Sequence, residues 1–339
     1  SSSSTGFKQF RDRVGGMRVC HFADLGSILE GGQETAVRQQ RAALEAAGVD
    51  YTTDPREPHD LLHLNVLGPR CLYHLHRARR RGVPVVVHAH NNGEDFRRSF
   101  RGSNQLAPLV DRWMNHFYTR ADRVIAPSQY TADLLDEKGI GTPVDVVSNG
   151  VDADRLDGVE EFDAGSDRFT VLNLGLRIER KGLSDFVATG RRMEDAEFRW
   201  YGPELNRLVR ARSTTRTIRD APGNVRFPGY IDDIRAAFAA ADVFFFPTRM
   251  ENQGIALLEA AYCGLPIVVR DIPTYRGWLE DGTHCLKADS VDGFVDQLQR
   301  LENDEALRER LGANAHDLAE GHTLDRIGAE LRAVYDQVT

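Results

Sequence analysis

Apolar residues in this chain follow two alternating patterns. Short uninterrupted runs, typical of strands buried in a parallel sheet, lie at residues 17–23, 61–67, 84–89, 123–127, 144–148, 169–175, 198–202, 225–229, 242–248 and 267–269. Recurrence at every third or fourth position, typical of an amphipathic helix, lies at residues 34–47, 71–81, 106–120, 129–138, 231–240, 255–262, 291–311 and 324–338. This alternation of strands and helices predicts an α/β fold of doubly wound parallel sheets.

The chain is long enough for two such domains. It has 339 residues, and an acidic stretch poor in apolar residues begins after Asp152 and ends near Ser166. Because a domain typically contains about 100–200 residues, we predict one Rossmann-like domain at residues 17–152 and a second at residues 153–321.

Composition argues against several classes of protein. Hydrophobic residues make up 41% of the chain, but no apolar run reaches the roughly 18 residues that a membrane-spanning helix needs. The four cysteines are scattered without a C-x-x-C pair. Asp152 and Asp154 match a D-x-D metal motif only superficially, because they lead into the acidic linker, so no metal site is expected. The net charge of −8, without a recognition motif, makes nucleic acid an unexpected partner.

The charge is distributed unevenly along the chain. Residues 1–150 carry 19 Lys and Arg against 17 Asp and Glu, whereas residues 151–339 carry 24 against 34. Arginines cluster at residues 77–81 and 97–101. Such clusters either bind an anionic membrane surface or form a solvated helix face, and charge alone leaves both interpretations open.

The residues after the strand at 242–248 are the strongest candidates for a ligand site. Loops at the carboxyl ends of parallel strands form the ligand edge of a doubly wound sheet, which places Glu251 there. The free backbone N–H groups at the start of the next helix, over Asn252, Gln253, Gly254 and Ile255, favour an anion. A carboxylate beside an anion site suggests a ligand with both phosphates and hydroxyls, such as a nucleotide sugar. Taken singly, Glu251 and Glu259 could also be ordinary helix residues.

Other polar residues follow strands at the same predicted edge. His88 and His90 share one face at the end of the strand at 84–89, although a histidine in an apolar strand is often a core residue. Arg177 and Lys181 lie in the turn after the strand at 169–175, where cations neutralise a diphosphate. Lys181 could instead be a surface residue.

Glu251 and Glu259, separated by seven residues and followed by Gly264 and Pro266, resemble the E-x7-E signature of retaining glycosyltransferases of the GT-B fold, family 4. That resemblance implies two Rossmann-like domains facing across a cleft, with a C-terminal helix at residues 322–339 packing back on the first domain. It implies that Glu251 contacts the donor sugar, and that further roles fall to a set of matching residues: His88 at the sugar, Glu259 at the ribose, Gly229 and Tyr230 at the base, and Gly32 in the glycine-bearing loop after the first strand.

Further motifs resemble a narrower group, the diacylglycerol glucosyltransferases. They are H-x-H at residues 88–90, E-D-F-R-x-S-F at 94–100, S-N-G-V-D at 148–152, and R-D-I-P at 270–273 with Trp278. The resemblance implies metal-independent, retaining transfer of an α-glucosyl group from UDP-glucose to a membrane lipid hydroxyl. It also implies a cytoplasmic protein that is peripheral on the inner face of the cell membrane, with His90, Glu94 and Asp95 on the acceptor side.

Two alternatives remain open at this stage. The acceptor could be a lipid-linked oligosaccharide or a polysaccharide, or the chain could be a nucleotide-sugar-binding module without turnover. No cofactor is expected beyond the nucleotide sugar itself.

Overall fold

The structure, a computed structural model, describes residues 16–24, 32–90, 103–162, 167–206, 210–231 and 233–339. Within these ranges the chain forms two six-stranded sheets in which all neighbouring strands are parallel. The predicted α/β class with two doubly wound sheets is confirmed.

The first sheet has the strand order β2-β1-β3-β4-β5-β6. Its strands are β1 (Arg18–Phe22), β2 (Asp50–Thr52), β3 (Leu61–Leu64), β4 (Val85–His88), β5 (Arg123–Ala126) and β6 (Val144–Val146). The helices between them are α1 (Gly32–Ala46), α2 (Pro69–Arg81), α3 (Ser103–Tyr118) and α4 (Gln129–Glu137).

The second sheet has the order β12-β11-β10-β7-β8-β9. Its strands are β7 (Thr170–Leu174), β8 (Glu197–Tyr201), β9 (Val225–Gly229), β10 (Val243–Phe246), β11 (Ile267–Arg270) and β12 (Leu286–Ala288). Its helices are α5 (Ala153–Leu156), α6 (Leu183–Arg192), α7 (Arg212–Arg219), α8 (Arg235–Ala239), α9 (Ile255–Tyr262), α10 (Val291–Asn303) and α11 (Glu305–Glu320), and α12 (Leu324–Asp336) ends the chain. Single turns of 3₁₀-helix lie at Val159–Glu161, Glu179–Lys181 and Pro273–Tyr275.

The central strands are apolar because helices cover both faces of each sheet. In β10, Phe244 and Phe246 pack into the core on one side of the sheet. Val243 and Phe245 pack into the core on the other side. Side chains alternate across a strand, so two buried faces require a continuous apolar run.

Strand order reverses once in each sheet. In the second sheet the chain runs from β7 outward through β8 to β9, returns, and then runs from β10 outward the other way. The helices that follow β7 and β10 therefore pack on opposite faces of the sheet, and such a switch point is where doubly wound sheets bind ligands. The corresponding point of the first sheet lies between β1 and β3.

Helix α12 packs on the first sheet, not on the second. Its buried residues Ile327, Leu331 and Tyr335 share a core with Val19 of β1. Gly328 approaches α1 so closely that a Cβ there would lie 2.1 Å from the carbonyl oxygen of Ala43. The chain thus passes between the domains twice, once after β6 and once before α12. These two crossing segments contact each other.

That pairing joins the segment after β6 to the segment before α12. Val151 forms a bridge with Thr323, and its N–H donates to the carbonyl oxygen of His322 at 2.8 Å. Paired crossings form a natural pivot between two packed bodies.

Some elements differ from the sequence prediction. The edge strands β2 and β12 were not predicted, because three residues that include a charged side chain make no apolar run. The predicted helix at 291–311 is two helices, because Asp304 ends α10 and caps α11, accepting a bond from the N–H of Leu307 at 2.9 Å. No helix in the described parts of the chain is long and apolar enough to cross a membrane.

Candidate active site

The loops after β7 and β10 touch at the switch point because one position is glycine. Gly182 has φ 84°, and a Cβ there would lie 2.3 Å from the carbonyl oxygen of Pro247. The N–H of Arg249 donates to the carbonyl oxygen of Arg180 at 2.9 Å. The turn Glu179–Lys181 is thereby held against the exit of β10, next to Glu251.

Glu251 and Lys181 form a half-buried ion pair between these two loops. The Lys181 ammonium also lies over the Phe246 ring, 5.2 Å from its centroid. Burial acts to raise the pKa of Glu251, but Lys181, Arg180 and the hydrogen bond from the Asn252 N–H outweigh it, so this pKa lies below its ordinary value. The carboxylate is therefore charged at neutral pH, next to a cation that a diphosphate would attract.

The backbone of Glu251 is supported by the segment after β11. The Thr274 hydroxyl donates to the carbonyl oxygen of Glu251 at 2.6 Å. The indole N–H of Trp278 in turn donates to the carbonyl oxygen of Thr274 at 2.8 Å. Sequence reasoning noted Trp278 but missed Thr274, because a threonine hydroxyl carries no spacing signal.

Glu259 lies on α9 and pairs with an arginine from the linker. Arg155 Nη1 donates to Glu259 Oε1 at 3.0 Å. Burial raises the pKa of Glu259 to about 7, and Arg155 and Arg38 oppose that rise. Arg155 was not predicted, since only the fold brings α5 beside α9.

The raised pKa of Glu259 predicts a pH effect on donor capture. If Glu259 accepts bonds from ribose hydroxyls it must be ionised, so kcat/KM for the donor should rise as pH increases through about 7, the pKa of the free enzyme. Glu259→Gln should raise the donor KM and lose this pH step. A step that persisted unchanged in Glu259→Gln would show that another group titrates.

The same shift has a consequence for stability. The folded pKa lies above the ordinary value of 4.5, so the native state binds the extra proton between these values. The contribution of Glu259 to the free energy of unfolding therefore falls as pH rises from 4.5 to about 7.

Arg177 faces a different set of partners from Lys181. Its Nη1 lies 3.1 Å from Glu204 Oε1, and its guanidinium lies over the Phe227 ring at 5.9 Å. Arg180, which sequence reasoning passed over, is the arginine whose charge acts on Glu251.

Gly229 is the last residue of β9, and Tyr230 follows it. The Gly202 N–H donates to the carbonyl oxygen of Gly229 at 2.8 Å. The Tyr230 side chain is 74% exposed and is available to stack on a planar base.

The two predicted histidines are stacked at the edge of the first domain. The ring centroids of His88 and His90 are 4.1 Å apart, with 14° between the ring planes. His88 is only 1% exposed, and Gln40 Nε2 lies 3.1 Å from its Nδ1. His90 is half-buried, and its carbonyl oxygen accepts from Asn252 of the second domain at 2.7 Å. His90 is thus the histidine at the domain interface.

Beneath them lie two further buried histidines. His21 contacts His63 edge to face at 4.8 Å, and His63 Nδ1 lies 2.7 Å from the Tyr335 hydroxyl on α12. Burial lowers the pKa of His21 to about 4 and that of His90 to about 3. It also holds the pKa of His63 and of His88 well below the ordinary value. The cluster is neutral at physiological pH and acts through hydrogen bonds.

The remaining predicted residues have varied positions. Gly254, with φ 97°, precedes Ile255, the first residue of α9. Gly32 is the first residue of α1. Glu94 and Asp95 lie outside the described residues. In the described ranges no three His, Cys, Asp or Glu side chains converge as metal ligands would.

Two six-stranded parallel doubly wound sheets, joined by two chain crossings, define the GT-B fold. Sucrose-phosphate synthase from Thermosynechococcus elongatus superposes with a TM-score of 0.74 at 18% identity, covering 95% of this chain and 99% of that one. Anabaena HepE in complex with UDP-glucose also gives 0.74, at 16% identity, covering 95% and 100%.

Sequence comparison identifies the family to which the chain belongs. The family model "Glycosyltransferase Family 4" matches residues 55–155, and "Glycosyl transferases group 1" matches residues 166–318. A processive diacylglycerol alpha-glucosyltransferase from Acholeplasma laidlawii is 32% identical over 334 residues, covering 95% of this chain and 98% of the relative. The chain belongs to the group 1, family 4 glycosyltransferases. The resemblance drawn from the motifs is confirmed.

Proposed function

We propose that this glycosyltransferase moves an α-glucosyl group from UDP-glucose to the hydroxyl of a diacylglycerol-type membrane lipid, with retention of configuration. The observation that carries the proposal is the half-buried Glu251–Lys181 pair at the switch point of the second sheet. The activity in the name of the Acholeplasma laidlawii relative supports the choice of acceptor, and the UDP-glucose complex of HepE supports the choice of donor.

We assign the donor to residues 153–321 and the acceptor to residues 17–152 with the C-terminal helix. Lys181 and the N–H groups at the start of α9 neutralise the departing UDP. Glu251 holds sugar hydroxyls, with His90 approaching from the first domain.

In the same proposal, Glu259 binds the ribose hydroxyls and Tyr230 stacks on the base. Arg177 binds the diphosphate only if its guanidinium releases Glu204 and pairs with a phosphate instead. The acceptor oxygen attacks the anomeric carbon from the face that the diphosphate leaves. The bond between that carbon and the phosphate oxygen breaks, and the hydroxyl proton passes to the departing diphosphate. No protein nucleophile is required.

The decisive experiment measures turnover with and without lipid. The protein is incubated with UDP-glucose and vesicles that contain diacylglycerol, and UDP release and glucosyl-lipid are quantified, with the anomer assigned by NMR. We expect lipid-dependent formation of α-glucosyl diacylglycerol. UDP release with a soluble glycan acceptor but not with lipid would favour a polysaccharide acceptor, and UDP-glucose binding without turnover would favour a binding module.

The outer surface of the first domain fits a peripheral role at an anionic membrane. Tyr73 of α2 and Leu109 of α3 are exposed. Arg80 and Arg81 at the end of α2 are exposed as well, whereas Arg79 donates to a backbone carbonyl group. On such a surface the arginines attract anionic lipid headgroups, and the apolar side chains enter the interfacial region of the membrane.

Replacing Arg80 and Arg81 by glutamine should weaken binding to anionic vesicles by about 10- to 30-fold, since each arginine contributes about 1 kcal/mol at such a surface. The matched control replaces Arg212 and Arg216, two exposed arginines of α7, and should leave binding unchanged. Co-sedimentation at increasing salt is the measurement, and wild-type binding should fall as charges are screened. Equal losses in both variants, or binding that salt does not alter, would contradict this assignment.

A further inference from the structure

Asn252 is a buried side chain that joins the two domains. It follows Glu251 in the loop between β10 and α9, and it is 8% exposed. Its Nδ2 donates to the carbonyl oxygen of His90 at 2.7 Å. Its Oδ1 lies within 3.4 Å of the Thr131 hydroxyl at the start of α4. Both partners belong to the first domain, so the amide bridges the cleft.

The next residue, Gln253, makes bonds of the same kind at a different place. Gln253 Oε1 accepts from the N–H and the Nδ2 of Asn149 at 2.9 and 3.0 Å, and Gln253 Nε2 donates to Ser148 Oγ at 2.6 Å. Ser148 and Asn149 directly precede the crossing at Val151. Gln253 therefore anchors the second domain beside the pivot.

The two amides differ in their distance from the pivot. His90 follows β4, which lies two strands away from β6 in the first sheet, or about 10 Å at the usual strand spacing. A rotation about the crossing moves nearby atoms little and distant atoms more. Separation of the domains would therefore break the bond between Asn252 and His90 first, while the bonds of Gln253 could persist.

Asn252 is also tied to the carboxylate that we assign to the sugar. Its backbone N–H donates to Glu251 Oε1 at 3.2 Å. His90, on the other side, is held by Asn65, whose Oδ1 lies 2.9 Å from His90 Nε2. One residue therefore connects the backbone of His90 to the side chain of Glu251 across the cleft.

We propose that Asn252 is a positioning residue that latches the two domains together and thereby brings Glu251 and His90 to the same bound sugar. Closing the cleft and assembling the sugar site are then one event, a coupling that lids and domain closures commonly provide. This inference rests on the proposed function for its kinetic consequence, but its structural consequence can be measured without any turnover.

The test is Asn252→Ala, examined by small-angle X-ray scattering with and without UDP and by steady-state kinetics. We expect a larger radius of gyration in the variant and a kcat lowered by about 10- to 100-fold, because the closed state loses its buried hydrogen bonds. The Kd for UDP should change less than about threefold, because Lys181 and Glu259 both belong to the second domain.

Asn224→Ala is the matched control. Asn224 Nδ2 donates to the carbonyl oxygens of Gly190 and Met193 at 2.9 Å each, so the variant loses bonds of the same chemistry within one domain. It should lower the Tm and leave kcat and scattering at wild-type values.

Unchanged scattering and kcat in Asn252→Ala, or equal changes in both variants, would overturn the latch. If the wild type showed no glucosyl transfer but Asn252→Ala still opened in scattering, the latch would stand and the proposed function would fail. The two failures are therefore distinguishable.

Discussion

Glu251→Gln is expected to lower kcat by about 10- to 1000-fold, with a smaller change in donor affinity. A carboxylate matched to sugar hydroxyls acts mainly as positive charge develops on the ring, so its loss weakens the transition state more than the ground state. The structure sharpens this expectation, because the pKa of Glu251 is held below its ordinary value and glutamine removes a charge that is present at neutral pH. Initial rates at saturating donor and acceptor are the measurement.

Glu197→Gln is a suitable control for the loss of a buried, paired carboxylate. Glu197 accepts from Arg199 at 2.8 Å and lies at the first residue of β8, the end of the strand away from the ligand edge. It should cost stability without a comparable effect on kcat. Wild-type values of kcat and kcat/KM in Glu251→Gln would contradict the assignment of Glu251 to the donor sugar.

Lys181→Met should lower kcat/KM by about 100- to 1000-fold, the range found when one preorganised donor to developing charge is removed. Two effects act together. The departing diphosphate loses its cation, and the half-buried Glu251 loses the cation that pairs with it, which raises the pKa of that carboxyl. We therefore also expect the activity that remains in Lys181→Met to increase toward higher pH, where Glu251 is ionised.

Lys138→Met is the matched control, because Lys138 pairs with Asp111 at 2.7 Å in the first domain. It should leave the pH profile unchanged. The double variant Lys181→Met with Glu251→Gln tests the coupling, because groups that act as a unit are not additive. Additive losses, or a pH profile in Lys181→Met identical to that of the wild type, would show that the ion pair has no role in donor activation.

Much of the second domain could be predicted from local pattern. The strand before Glu251, the glycine at the start of α9 and the stop at Gly264 all act within a few residues, so the loop carrying Glu251 follows from its own sequence. Lys181 was expected at the same edge because the end of a parallel strand is recognisable from its apolar run. Two edge strands escaped prediction, because three residues with a charge among them have no period.

The first domain shows where such reasoning stops. The H-x-H pattern placed His88 and His90 on one face, but it could not decide which ring lies deeper. That depends on Gln40 of α1 and on His63. His63 bonds to Tyr335, 272 positions further along the chain. A contact between residues so far apart in the chain produces no local pattern in the sequence from which it could be predicted.

The sequence by itself determined the order of the central strands and most of the helices between them, the presence of two doubly wound sheets, and the sheet edge at which the polar candidate residues lie. Periodicity, caps and glycine punctuation set these features, and each acts over one or two turns of chain. Only the tertiary structure decided that Glu259 pairs with Arg155, that Arg177 pairs with Glu204, and that the side chains of Asn252 and Gln253 cross to the other domain. These outcomes depend on which desolvated groups the packing of two domains brings within hydrogen-bond distance, and burial makes such pairing obligatory without specifying the partner in advance.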